Sequence, residues 1–344
     1  MKVNTIDIQK RKIGGENPCF IIAEACDNHL GNTNTAIEMI KAAKLSGADA
    51  IKFQHHLPDE EMLKDIPMSD NFKEPLYDFL KKYALTLDQH KLLKEKCDKE
   101  GIIYMCTPFS LKAAQEIKDL VPIFKIGSGE MTDIPSLIEI AKLGLPMILS
   151  TGMSDYSEID RTYKNLENKV NLALLNCVSE YPPVYEDINL LVIKDMIKRY
   201  PNAVIGHSDH TPDLYSSFAA VTLGAKIIEK HVILDKNQPG PDQSVSIDFK
   251  ELSNLVEGIK KIEASLGREK KVHKKEKQIR EWAFRSVVSI KEIKKGQRIS
   301  PNDVWSKRPG TGIPSHQIDQ VIGKKTLVNI PKDKLISWQE LSDL

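Results

Sequence analysis

From residue 20 to about residue 265, short and nearly continuous apolar runs alternate with longer segments of helical periodicity. The runs fall at residues 20–25, 50–54, 102–107, 123–127, 147–151, 172–177, 203–208 and 226–232. Continuous rather than alternating apolar character is what parallel strands covered on both faces require. Eight strand-then-helix units in succession predict an α/β chain built on a (β/α)₈ TIM barrel rather than an open sheet.

The intervening segments carry helix signals. Residues 32–46 place Ile37, Ile40 and Ala43 on one face and stop at Gly47. Residues 134–143 and 214–223 stop in the same way at Gly144 and Gly224, since glycine accepts the left-handed conformation that ends many helices. Ser46-Gly47-Ala48 and Leu223-Gly224-Ala225 lead straight into strands, as short barrel links do. The second crossover is different, running nearly 50 residues with an acidic, Met-containing stretch at 58–70 that predicts a lid-like insertion. After residue 265 the pattern changes. Residues 267–280 are dense in Lys, Glu and Arg and read as a solvated linker or exposed helix, followed by strand-like pieces at 286–290 and 326–330 with a turn at Lys294-Lys295-Gly296. The organisation expected is a barrel over residues 1–268, a linker over 269–283 and a small β domain over 284–344, too small for a large core of its own.

Composition narrows this picture without redirecting it. A formal net charge of +1 gives no reason to expect nucleic acid or an anionic membrane as a partner. No run approaches the roughly 20 apolar residues that span a bilayer, and residues 1–18 lack the apolar stretch of a secretory signal. The five cysteines are widely spaced with no CxxC pair, so a reducing cytoplasm is the expected location.

Chemistry collects at the strand ends, where barrels place reactive groups. In order these are Glu24; Lys52 and Gln54; Thr107; Lys125, Ser128 and Glu130; Ser150 and Thr151; Ser179 and Tyr181; Ser208, Asp209 and His210; Glu229 and His231. His210 and His231 close adjacent strands about 4.8 Å apart, so both imidazoles can reach one divalent cation. Two protein ligands leave coordination positions open, as a catalytic metal needs. Lys52 and Lys125 close apolar strands, and a buried lysine requires an anion. That anion is either a bound phosphate or carboxylate, with Thr107, Ser128, Ser150 and Ser208 completing the cradle, or an internal partner such as Glu24 or Glu229. His55 and His56 follow the second strand, where a loop histidine is more often solvated, with contact of one of them to substrate left open. His90, His273 and His316 read as surface groups, and Glu186 and Asp187 as helix caps.

The ordered strings resemble the sialic acid (N-acetylneuraminate) synthase family. They are Ile22-Ala23-Glu24 with Asn28-His29, Lys52-Phe53-Gln54, Thr107-Pro108-Phe109-Ser110, Lys125-Ile126-Gly127-Ser128-Gly129-Glu130 and Ser150-Thr151-Gly152-Met153. Tyr181-Pro182, Ser208-Asp209-His210-Thr211, Glu229-Lys230-His231, Gly240-Pro241-Asp242 and the tail string Trp305-Ser306-Lys307-Arg308-Pro309-Gly310 continue the match. The resemblance implies a barrel followed by a β-clip domain of the antifreeze-like (SAF) type, in a domain-swapped homodimer. It implies condensation of phosphoenolpyruvate with an N-acetylated hexosamine in its aldehyde form, giving a nine-carbon 2-keto acid and phosphate. Lys52, Thr107, Lys125, Ser128, Ser150 and Ser208 would hold phosphoenolpyruvate. Gln54, Ser179, Tyr181, Asp242, Phe284 and, from the other subunit, Arg308 would hold the sugar. His210 and His231 would hold Mn²⁺, with Mg²⁺ or Co²⁺ as substitutes. Glu24 or Glu130 would handle the attacking water.

Three positions depart from the family pattern: Cys26-Asp27 stands where a small or apolar pair is usual, Ser179-Glu180 precedes Tyr181, and His207 precedes Ser208. All three are expected near the sugar side. N-acetylmannosamine is the expected acceptor, with legionaminic and pseudaminic acid synthases as the alternative.

Overall fold

The computed structural model describes residues 4–9, 11–67 and 74–342. The chain forms two compact units dividing between Gly267 and Arg268. The first opens with an antiparallel hairpin, β1 (Thr5–Ile8) and β2 (Arg11–Gly14). Eight parallel strands follow: β3 (Phe20–Glu24), β4 (Ala50–His55), β5 (Ile103–Pro108), β6 (Phe124–Ile126), β7 (Met147–Ser150), β8 (Leu172–Cys177), β9 (Ala203–Asp209) and β10 (Ile227–His231). They close in sequence order, β10 returning to β3 with His231 beside Glu24. This is the expected barrel.

The apolar runs conceal a period of two. On every strand, alternate residues point inward, and the inward set changes from apolar to polar along the strand direction. Phe20 and Ile22 precede Glu24, Ala50 precedes Lys52 and Gln54, and Ile227 precedes Glu229 and His231. The lower inward residues form one closed cluster with Met105, Ile148 and Leu175, sealed by Ile6, Ile8 and Ile13 of the hairpin. The outward set (Ile21, Ile51, Phe53, Phe124, Leu174) packs against the surrounding helices in a second, larger cluster. The hairpin was not expected within residues 1–18, because three isoleucines spread over eight positions make no apolar run.

Strand parity and helix packing change four histidine readings. His55 lies on the outward face of β4, buried against Glu116 at 2.9 Å and edge-on to His90. His90 is buried inside the helix Leu87–Glu100 with Nδ1 2.7 Å from the Tyr104 hydroxyl. His56 is buried as well. His207 points outward from β9, its Nδ1 donating to the Asn176 carbonyl at 3.0 Å, so it does not face the mouth. Glu186 and Asp187 cap no helix: they sit in the turn Tyr185–Asp187, and the next helix starts at Val192 without a side-chain cap.

In the second unit, β11 (Ser286–Ser289) pairs antiparallel with β12 (Val304–Lys307). Residues 326–330 contribute isolated bridges instead of the strand expected there. Val287, Ile293, Val304, Ile313, Ile330 and Ile336 make a small core. The stretch expected as a linker contains an exposed helix, Lys274–Ala283.

Candidate active site

At the C-terminal end of the barrel lies a cavity of about 630 Å³, lined by residues between Glu24 and Asp242. Glu24, Gln54, Lys52, Thr107, Lys125, Ser128, Glu130, Ser150, Ser179, Tyr181, Ser208, His210, His231 and Asp242 all face it. Phe284 and Arg308 belong to the second unit. There the Arg308 Nε donates to the Ala283 carbonyl at 3.1 Å and the guanidinium lies over the Trp282 ring.

The two buried lysines organise one wall. Lys52 Nζ lies 2.6 Å from Glu24 and donates to Thr107 Oγ1 at 2.8 Å. Lys125 Nζ donates to Ser150 Oγ at 2.8 Å and lies 3.4 Å from Glu229, which also accepts from Ser208 at 3.2 Å. The internal Lys–Glu pairing left open by the sequence is therefore present here, and the Thr107 and Ser150 hydroxyls accept from the two ammonium groups beside it. Glu229 completes the cluster: burial, which disfavours its charge, is outweighed by Lys125 and Lys52, which hold it below the usual carboxylate range. Burial pulls Lys125 down. At Lys52 burial acts the same way but is outweighed by Glu229 and Glu24, so its ammonium is kept.

The two candidate acids differ in surroundings. Burial raises Glu24 to about 7 against the opposing pull of Lys52, and its Oε1 accepts from Gln54 at 2.8 Å. Burial also raises Glu130 to about 7, yet its Oε2 is buried without a hydrogen-bond partner among the described residues. A β-carbon at residue 127 would come within 2.6 Å of that oxygen, so Gly127 is what lets the carboxylate reach the cavity.

On the opposite side, the His210 and His231 rings stand 5.1 Å apart and nearly perpendicular. His210 Nδ1 lies 2.7 Å from the Val178 carbonyl, an acceptor, so Nδ1 carries the proton and Nε2 presents a lone pair. Tyr181 stacks on His210 with its hydroxyl 3.3 Å from that Nε2. Burial, reinforced by nearby positive groups, holds His231 well below the usual histidine range, keeping it neutral. Burial also disfavours charge on His210 but is outweighed by Cys177 and the Val178 carbonyl, which hold it above the usual histidine range, so the neighbouring rings would ligate a divalent cation with loss of any proton on the His210 Nε2.

Several lining groups make contacts that the sequence did not assign. His56 is held between Gln54 Oε1 and Glu61, each at 3.0 Å, and stacks on Phe109. Asp27, raised to about 6 by burial, lies 4.0 Å from His56. Glu61 and Met62 come from the insertion after β4, whose helix Pro58–Glu61 borders the cavity, whereas residues 68–70 of the expected lid lie outside the described residues. Acidic residues in a crossover were legible as an insertion; their meeting with His56 was not.

Residues 39–271 match the NeuB family and residues 284–342 match the SAF domain. The chain belongs to the NeuB family. It is 37% identical to the N,N'-diacetyllegionaminic acid synthase of Legionella pneumophila, over 96% of this chain and 98% of that one. It is 34% identical to the human N-acetylneuraminate-9-phosphate synthase, over 97% and 95%. Among solved structures, the N-acetylneuraminic acid synthetase of Leptospira borgpetersenii aligns with a TM-score of 0.74 at 35% identity, covering 80% of this chain and 95% of that one. The NeuB-family relatives thus include sialic, legionaminic and pseudaminic acid synthases. No helix among the described residues is long and apolar enough to cross a membrane.

Proposed function

We propose that this NeuB-family chain condenses phosphoenolpyruvate with an N-acetylated hexosamine aldehyde, N-acetylmannosamine in the first instance, to give a nine-carbon 2-keto-3-deoxy acid and phosphate. The observation that carries the reading is a single cavity holding two buried lysines with their hydroxyls on one wall and the His210–His231 pair on the other. Lys52 and Lys125, with Thr107, Ser128, Ser150 and Ser208, take the phosphate and carboxylate of phosphoenolpyruvate. Arrival of these anions competes with Glu24 and Glu229 for the ammonium groups, which favours protonation of Glu24, already near neutrality. Tyr181, Gln54, Ser179 and Asp242 face the acceptor.

A divalent ion held by His210 and His231, manganese in the first instance, would polarise the acceptor carbonyl as a Lewis acid. C3 of phosphoenolpyruvate attacks that carbon, water adds at C2, and phosphate departs with cleavage of the C2–O bond. Glu130 serves as the base that takes the water's proton, because its buried Oε2 has no hydrogen-bond partner among the described residues and its affinity for a proton suits neutral pH. The proposal includes a cytoplasmic homodimer in which Arg308 and Phe284 of one protomer complete the partner's acceptor site.

The test is phosphate release from phosphoenolpyruvate with Mn²⁺ and a panel of acceptors: N-acetylmannosamine, its 6-phosphate, and 2,4-diacetamido-2,4,6-trideoxyhexoses of the legionaminic and pseudaminic series. The expected product is three carbons longer than the acceptor by mass. Absence of phosphate release with every acceptor overturns the reading.

A further inference from the structure

The loop after β3 brings a thiol to the metal side of the mouth. Cys26, His231 and Asp242 each offer a ligand atom, and the three atoms lie within 4.8 Å of one another. Cys26 is fully buried and its side chain hydrogen-bonds Asp242. His231 is 5% exposed, and its Nδ1 is buried with no hydrogen-bond partner among the described residues. A neutral imidazole with an unpaired nitrogen, beside a carboxylate and a thiol, is a donor set that a divalent cation satisfies. The backbone at Cys26 takes φ +41°, a region that favours glycine, so the sulfur is held there against a backbone preference.

We infer that Cys26 and Asp242 are ligands of the divalent ion at the mouth, making a sulfur-containing site rather than one of histidines and water alone. Binding converts the Cys26 thiol to a metal-bound thiolate and releases its proton to solvent. A thiolate shifts preference away from hard ions such as Mn²⁺ and towards Co²⁺ or Zn²⁺. One carboxylate oxygen of Asp242 serves the ion, and the other remains for the acceptor. The inference rests on the reading that the mouth holds a divalent ion, and the experiment separates the two.

The metal-stripped full-length protein is titrated with Co²⁺, and both bound cobalt and the near-ultraviolet sulfur-to-cobalt charge-transfer band are measured. One cobalt per chain with a charge-transfer band is expected, the band being lost in Cys26→Ser and in Cys26→Ala while cobalt still binds through the histidines. Cys177 is the control, because its Sγ lies 3.9 Å from His210 Nδ1. The band is expected to survive in Cys177→Ser. Cobalt bound without a band, or a band that follows Cys177, overturns the role of Cys26 and leaves the metal reading intact. No bound cobalt overturns both. Should the Cys26 variants fail to fold, the wild-type spectrum together with that of Cys177→Ser still decides.

Discussion

Glu130 shows what a single buried carboxyl does to the whole chain's pH response. Burial raises it from 4.5 to about 7, so the folded state binds this proton more tightly than the unfolded chain does. The resulting stabilisation is complete below the ordinary glutamate range and is lost as pH rises through 7. Glu130→Gln cannot ionise. Its melting temperature is therefore expected to fall less than that of the wild type between pH 5 and pH 8, read by calorimetry at both pH values. An unchanged pH slope would show that Glu130 is not raised. In its proposed role as the base for the attacking water, the same carboxyl would make activity rise through pH 7. Glu130→Gln is expected to lower kcat by about 10²–10⁴-fold and to make that ascending limb shallower in a pH–rate profile.

At the scale of elements, the barrel strands decide which polar residues serve chemistry and which serve the scaffold. Asp209 and Lys230 fall within the motifs Ser208-Asp209-His210 and Glu229-Lys230-His231, yet both point outward. Lys230 Nζ lies 3.1 Å from Asp209 and also bonds the Thr211 carbonyl, while Asp209 accepts from Thr211, Ser216 and Ser217. This buried knot fixes the turn on which His210 stands. Burial, which disfavours the Asp209 charge, is outweighed by Lys230, so its carboxyl sits well below the usual range. Lys230→Met leaves that charge without its cation and is expected to cost about 3–5 kcal/mol of stability, measured as a lower urea midpoint. A midpoint within experimental error of the wild type would mean that the hydroxyl donors alone suffice. The motif strings were visible in the sequence, but the division of labour inside them was not. A strand's alternation is masked when both of its faces are buried, and only closure of the barrel makes one face a cavity wall.

For the whole molecule, the open matter is the second unit. Its exposed Trp282, Phe284 and Trp305 are more than half accessible in the chain described, and large apolar surfaces of this kind mark contact sites. The proposed homodimer can be tested by complementation. Lys125→Ala disables a barrel but keeps its tail intact, and Arg308→Ala does the reverse. Mixed, unfolded together and refolded, the two inactive variants are expected to regain about one quarter of wild-type activity, because random pairing yields intact composite sites at that frequency. No regain would place Arg308 in its own subunit's chemistry or outside chemistry altogether.

The sequence by itself determined the barrel, the order of its strands, the two-unit organisation and most residues of the mouth. These follow from local information: apolar runs mark strands, glycines end helices, and polar residues at strand ends break the pattern. Only the tertiary structure decided which histidines are buried scaffold, that an N-terminal hairpin seals the barrel, that Glu229 sits between both lysines, and that Cys26 meets His231 and Asp242. Each of these depends on contacts between residues far apart in the chain, such as Cys26 and Asp242. Such meetings are set by barrel closure and register, which no local pattern encodes.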